Sequence, residues 1–402
     1  MGFRPMVSSL MRSKTGPLLV ALQIAVTLAI VVNSLFIIVQ RIEKMNRDTG
    51  IDVKNVVVVD VRGFGANFDV VDSITNDIDL LQSIPGVLAA TVSNHAPLSG
   101  SGSGTGLRTE PDETIDAIAT ARYQWSEAGL DSLGVQLSRG RNFFPEEVDY
   151  ILPGSGSSAP ASVLVTQELA NELFPDEDAL GKTVYWGNMD PSTIVGIIDH
   201  MHGSWVNWDK LGNVVVQPGK PAFTNNRYLI RTEQGMRDTL MPLIEQKLAE
   251  SNRQRVINNV RSLEELAANS YRRDKGMAII LGIVISLLIG LTALVIVGLS
   301  SFHVTQRTKQ IGTRRALGAT RMHIIREFML ENWLITTVGA ALGAFLTVAV
   351  AYWLEVSFQL PRLDWRYLPA GIGILWLLSS LAVIEPARRA ASVPPAVATR
   401  SI

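Results

Sequence analysis

Four stretches of the chain carry no charged side chain over lengths that suit a membrane interior: Gly16 to Val39, Met277 to Phe302, Trp333 to Leu354 and the shorter Leu368 to Ile384. A helix rises about 1.5 Å per residue, so roughly 20 apolar residues cross about 30 Å of hydrocarbon. A lone Lys, Arg or Asp at mid-bilayer costs about 2.5–3.5 kcal/mol on insertion scales, which is why uncharged runs mark spans. Buried helices of a large water-soluble protein are the competing reading, and four such runs argue against it. The first run exceeds a usual signal-peptide core and no clear small-x-small cleavage site follows it, so it reads as an uncleaved anchor.

Orientation follows from the flanks, because Lys and Arg near span ends favour the cytoplasmic side. Arg307, Lys309, Arg314, Arg315, Arg321 and Arg326 fall between the second and third runs, Arg4, Arg12 and Lys14 precede the first, and Arg388, Arg389 and Arg400 follow the fourth. The expected order is a cytoplasmic N-terminus (1–15), spans at 16–39, 276–302, 333–354 and 368–384, a cytoplasmic segment (303–332) and a cytoplasmic tail (385–402). That leaves a large domain (40–275) and a short loop (355–367) outside, in the periplasm if the membrane is a bacterial inner membrane. A net charge of -1 supplies no field that would draw the molecule to nucleic acid, and the absence of cysteine excludes disulfides, thiolate metal sites and a thiol nucleophile.

The two ends of the external domain share a pattern. Asn55 to Val61 is a β-rich apolar run, Val71, Ile74, Ile78 and Leu81 recur at helical spacing, and Val87 to Val92 is a second run. Arg227 to Arg231, the stripe Leu240, Leu243, Ile244 and Leu248, and Arg255 to Val260 repeat the order. Two β-α-β units of this kind, about 51–96 and 222–270, are the makings of a ferredoxin-like α+β layer around an insertion, about 97–221. The insertion holds two Gly/Ser loops, Leu98 to Gly106 and Gly154 to Ser158, that read as mobile. Its strand candidates Ile118 to Gln124, Ser162 to Val165 and Thr193 to Ile198, with a helix from Gln167 to Leu173, suggest a small β-rich lobe. The expected fold class is therefore an α-helical membrane protein with four transmembrane helices plus a large α+β periplasmic domain.

Several motifs lack the company their chemistry needs. Gly181-Lys182-Thr183 ends like a phosphate-binding loop, but Asp176 stands where that loop requires glycine. Leu98-Ser99-Gly100 resembles the ABC ATPase signature without its partner motifs. Asp199, His200 and His202 offer metal-ligand chemistry after a strand, with ordinary surface histidines as the alternative. No serine sits in a Gly-x-Ser-x-Gly elbow. These readings point to a non-catalytic chain. Within the spans, Gln23, Asn33, Ser286 and Thr292 suit interhelical hydrogen bonding, and Gly339 and Gly343 form a small-xxx-small pair for close helix packing, as do Gly282, Gly290 and Gly298 on the second run.

The segment Arg307-Thr308-Lys309-Gln310-Ile311-Gly312-Thr313-Arg314-Arg315-Ala316-Leu317-Gly318-Ala319-Thr320 resembles the most recognisable stretch of FtsX-like and MacB-like ABC permeases, with Gln310 where that family usually has Glu. On the residues alone, Ile311, Ala316 and Leu317 form an apolar patch beside Arg314 and Arg315, Gly318 suits a helix stop and Thr320 suits a cap. Gly134 to Phe143, Val165 to Phe174, Leu180 to Thr183, Ile194 to Ile198, Arg261 to Leu266 and Pro386 to Ala391 extend the likeness, with Pro394 where an acidic residue is common.

The resemblance implies a permease whose coupling segment, Gln310 to Ala319, docks on an ABC ATPase supplied in trans. No cofactor is expected in this chain, ATP and Mg being bound by that partner. The external halves would be the porter, and motion would pass through the second span in mechanotransmission. It implies pairing with a second copy or a related permease, contact with membrane lipid, and a periplasmic adaptor and outer-membrane channel as further partners. Efflux of a drug, peptide or other cargo from the periplasm is the expected activity; regulation of cell-wall hydrolases and lipoprotein extraction are alternatives on the same architecture. A membrane receptor is a reading from another class, and the short inside segments leave no room for its output domain.

Overall fold

A computed structural model describes residues 15–154, 159–187, 189–358 and 361–394. Residues 155–158 of the second Gly/Ser loop lie outside the described residues, as do Arg4, Arg12, Lys14 and Arg400. In chain order the elements begin with α1 (Thr15–Asn46), β1 (Val56–Gly63), α2 (Val70–Gln82) and β2 (Val87–Ser93). The insertion contributes β3 (Gly104–Leu107), β4 (Ile118–Trp125), α3 (Gly129–Leu133), β5 (Leu137–Gly140), β6 (Tyr150–Ile151), β7 (Ser162–Thr166), α4 (Gln167–Leu173), β8 (Thr183–Tyr185), β9 (Pro191–Ile198), β10 (Val214–Pro218) and β11 (Lys220–Pro221). The chain continues with β12 (Asn225–Thr232), α5 (Arg237–Ser251), β13 (Arg255–Ser262) and α6 (Leu263–Ser270), then α7 (Arg272–Ala316), α8 (Arg321–Phe358) and α9 (Tyr367–Ser392). These form two compact units, one of α1 with α7–α9 and the other Arg47–Arg273.

In the Arg47–Arg273 unit, β13-β1-β12-β2 make a four-stranded antiparallel sheet. Strands one and four of the β-α-β pair of repeats thus flank each other, the ferredoxin-like arrangement. Val57, Val59 and Val61 point to one core with Ile74, Leu81, Leu240, Ile244 and Leu248 of the two helices. Val56 and Val58 point the other way, into a core with Tyr123, Trp125, Leu164 and Val216 of the lobe. Burial on both faces explains why β1 reads as a continuous valine run instead of alternating with polar residues. Leu243, expected in the α5 stripe, is 36% exposed, since the sheet-facing line is only Leu240, Ile244 and Leu248.

The lobe is a seven-stranded sheet, β3-β4-β10-β7-β9-β5 with β8 on β9. Here the first Gly/Ser loop departs from the expectation of mobility. Gly104–Leu107 is a strand, and backbone bonds from Leu98 N to Gly203 O (3.0 Å) and from Gly100 N to Ser204 O (2.8 Å) hold what precedes it. Its glycines answer to close approach: a Cβ on Gly102 would lie 2.7 Å from Ser204 Cβ.

Among the described residues, four helices are long and apolar enough to cross a membrane: α1, α7, α8 and α9. The charged flanks prolong them well past the uncharged runs, most of all in α7, whose 45 residues span about 68 Å at 1.5 Å per residue. Val20, Ile24, Leu28 and Val32 of α1, one turn apart, face α8 and α9. A Cβ on Gly339 would sit 2.8 Å from Ala21 O, and one on Gly343 3.0 Å from Ala25 O, so α8 lies backbone to backbone on α1 at these two residues. Gly282, Gly290 and Gly298 meet nothing within 4 Å among the described residues. Thr27 and Thr292 hydroxyls pair at 2.8 Å, with Gln23 within 3.4 Å of both, while Asn33 donates to Ala29 O (2.8 Å) and Thr347 O (3.2 Å). Ser286 bonds back to Gly282 O within its own helix.

Candidate functional site

The turn joining α7 to α8 gathers the residues singled out in the sequence. Gly318 ends α7 at φ +98, a conformation that glycine adopts without strain, and its N–H bonds Arg315 O at 3.1 Å. Thr320 Oγ1 then accepts from His323 N at 3.2 Å and caps α8. Both stop and cap follow from the residues as read.

Three cations of the turn region are engaged by the same unit. Arg314 Nη1 donates to both oxygens of Glu327 (2.6 and 2.8 Å), Arg307 donates to Glu331 Oε2 (3.0 Å), and Arg315 Nη1 donates to Val393 O near the end of α9. Charge-assisted contacts between consecutive helices fix the hairpin's shape.

The stretch Gln310 to Ala316 is the last part of α7. One expectation needs correction: Ile311 does not join an apolar patch with Leu317, because it is 5% exposed and packs with Ile324 and Phe328 of α8, and Gly312 is buried with it. The outward surface is carried instead by Leu317, 84% exposed, together with Met322, 58% exposed. Gln310, Thr313, Ala316 and Gly318 are exposed around them, as are Lys309, Arg321 and Arg326, while Arg314, Arg315 and Ala319 are half-buried. Met322 escapes a reading of the sequence, although its place in the first turn of α8 beyond a glycine stop is an available signal. The assembled tip is a leucine and a methionine ringed by cations, a surface suited to receiving an apolar and acidic groove.

The remaining candidates sit elsewhere and serve the fold. Gly181, at φ +79, makes the turn before β8, its N–H bonded to Ile194 O at 2.8 Å. His200 Nδ1 contacts the Glu168 carboxylate and Nε2 lies 3.1 Å from Asp48 O, with the His202 ring 4.7 Å away edge-on. Burial pushes the His200 pKa down but the Asp48 carbonyl and the Glu168 carboxylate overrule it, for a net rise. Asp199 uses its backbone N–H on Gln136 O at 3.0 Å. Among the described residues, no three His, Cys, Asp or Glu side chains converge as metal ligands would.

Comparison with known proteins matches residues 18–258 to the MacB-like periplasmic core domain and residues 282–395 to the FtsX-like permease C-terminal family. An uncharacterized ABC transporter permease, YknZ of Bacillus subtilis (strain 168), is 25% identical over 81% of this chain and 78% of its own length. The macrolide export ATP-binding/permease protein MacB of Neisseria meningitidis serogroup A is 26% identical over 87% of this chain, which spans 52% of that protein. The extracellular domain of the YknZ transporter in its crystal structure aligns over 50% of this chain and all of that one, at 13% identity and a TM-score of 0.32. This chain belongs to the ABC transporter permeases of the MacB-like, FtsX-like family.

Proposed function

We propose that this permease couples ATP hydrolysis by a separate ABC ATPase to conformational change in its large domain, and that the Leu317 turn is where the ATPase docks. The supporting observation is the tip itself: a leucine left 84% exposed between two helices that are otherwise ion-paired to each other. In this reading the turn lies on the cytoplasmic face of an inner membrane, with both termini on that side and Arg47–Arg273 in the periplasm, and the cations gathered at the turn support it. A second permease copy or a related chain completes the assembly, with ATP and Mg held by the partner. By analogy with the macrolide exporter it is similar to, the activity is efflux of a drug, peptide or other cargo from the periplasm, assisted by an adaptor and an outer-membrane channel.

The test is purification of the detergent-solubilised chain from its host with partners identified by mass spectrometry. Burying a leucine contributes about 1.5–3 kcal/mol, so Leu317→Asp lowers ATPase affinity by about ten- to a hundredfold. Adding Arg321→Glu abolishes recovery. Recovery of the ATPase with wild type and both variants alike would move the docking site elsewhere. No ATPase with wild type would refute the coupled-permease reading.

A further inference from the structure

The β-rich lobe carries a cleft that ATPase coupling does not use. β3 is an edge strand, and its register with β4 sets Gly106 opposite Ala119 and Gly104 opposite Ala121. Opposed residues of an antiparallel pair share a face, so Gly104, Gly106 and Ala119, with Ala117 beside them, clear one patch of sheet of every side chain larger than methyl. Trp205 lies across the start of this floor: a Cβ on Gly104 would be 3.4 Å from its Cη2, and one on Gly102 3.1 Å from its Cζ2. Trp208 stands at 87° to it with ring centroids 5.6 Å apart. The cleft so bounded has a volume of about 760 Å³; Asn207 is its polar side chain, Thr105 and Thr120 bordering it with side chains on the other face of the pair. That size falls within the roughly 300–1,000 Å³ of small-molecule sites, and an apolar floor with few polar groups is their usual chemistry.

The charge around the cleft selects the occupant. Asp116 and Asp209, both exposed, adjoin the lining residues Ala117 and Trp208 in the chain, and Glu110, Asp112 and Glu113 are exposed in the same connection between β3 and β4 as Asp116. Of the nearby cations, Lys210 pairs with the Glu172 carboxylate, and Arg108, which keeps its charge while donating through Nε to Ile115 O at 2.7 Å, is outnumbered by these carboxylates. Indole faces and acidic residues both favour positive charge. We infer that this cleft binds a flat organic cation, its apolar face on the Gly/Ala floor beside the two indoles and its charge toward the acidic residues next to the floor.

The test uses the full chain in nanodiscs of zwitterionic lipid, titrated with tetramethylrhodamine methyl ester, a flat cation. Fluorescein, an anion on the same ring skeleton, is the comparison, and empty nanodiscs correct for partition. Saturable, salt-sensitive binding of the cation with quenching of tryptophan emission is expected, and fluorescein binds at least about tenfold more weakly. Ala119→Leu fills the floor from an exposed position, leaving the melting temperature unchanged, and Trp208→Ala removes a wall; each weakens the cation by about tenfold. Signal no greater than with empty nanodiscs, equal binding of both dyes, or affinity untouched by the two substitutions would each overturn the inference. No ATPase enters this measurement, so its outcome is independent of whether an ATPase docks on the Leu317 turn.

Discussion

The two halves of the four-stranded sheet are separated in sequence by the whole lobe, and a buried triad ties them together. Asp77 on α2 accepts from the Tyr228 hydroxyl of β12 at 2.7 Å and pairs with Arg255 at the start of β13. The Arg255 guanidinium also donates to Leu248 O in the last turn of α5 (3.1 Å from Nε) and to Ser251 Oγ (2.7 Å). The two charged side chains are 3% and 1% exposed. Asp77→Asn keeps the shape but leaves the guanidinium uncompensated, and breaking a buried pair costs about 3–5 kcal/mol. In a domain of this size each kcal/mol lowers Tm by about 2–4 °C, so a fall of about 6–20 °C follows. Arg255→Met alone is at least as damaging, because it strands both the carboxylate and the Leu248 carbonyl. The double variant recovers part of the loss, because it leaves no uncompensated charge, while the Leu248 carbonyl stays stranded. Denaturant unfolding of the Arg47–Arg273 unit measures all three. A single-variant loss under about 1 kcal/mol, or a double variant equal to the sum of the singles, would refute the reasoning.

Two other outcomes are expected. His202 is 7% exposed, its Nδ1 finds no partner among the described residues, and burial together with Arg47 and His200 lowers its pKa to about 4. An unfolded histidine binds its proton near pH 6.5, so stability is full above that pH and is lost as the pH falls toward 4, by on the order of 3 kcal/mol; Tm measured from pH 7.5 to 4 on wild type and His202→Gln checks this, and parallel curves would contradict it. Gly343→Leu drives a side chain into Ala25 and Leu28, whereas Gly290→Leu meets nothing within 4 Å among the described residues. Overpacking costs about 1–3 kcal/mol, so heat stability of the detergent-solubilised protein drops for the first only, and equal effects would show that α8 does not lie on α1 as described.

The spans and both β-α-β units are legible in the sequence because each rests on a local period: uncharged runs for helices in lipid, apolar runs and helical stripes for the sheet. What escapes is non-local. β10 runs parallel to β4 and antiparallel to β7, pairings that bring together strands far apart in sequence and leave no local trace. The Gly/Ser composition of Leu98 to Gly106 signals flexibility when read alone, yet Gly102 and Gly104 are small because Ser204 and Trp205 lie on them. Ile311 sits in a motif with exposed neighbours such as Gln310, Thr313 and Leu317, and only helix phase against Ile324 and Phe328 turns it and Gly312 inward. Trp205 and Trp208 carry no signal in the sequence, since an aromatic pair in a loop gains meaning only from the bare strand it meets.

The packing of α7 bears on how motion could travel along it. Ile279, Ile280, Ile283, Leu287, Leu291 and Leu294 are all exposed, so apolar interdigitation within the chain does little to hold the first part of this helix, whereas Ile296, Val304 and Ile311 of its second part are buried in the core shared with α1, α8 and α9. Its polar attachments are widely spaced. Asp274, its side chain 4% exposed, pairs with Arg41 of α1 and lies 3.8 Å from Lys44. Thr292, about 27 Å further along at 1.5 Å per residue, pairs with Thr27. Arg307 and Arg314 then engage Glu331 and Glu327 of α8. A hydrogen bond between helices in a membrane contributes on average only about 0.6 kcal/mol. A continuous 45-residue helix fixed at its two ends by ion pairs and near its middle by one hydroxyl pair is stiff along its length, and its first part is cheap to tilt about that middle. Displacing the Leu317 tip therefore moves the Asp274 end as far as the packing of Ile296, Val304 and Ile311 in the core with α1, α8 and α9 lets the second part shift.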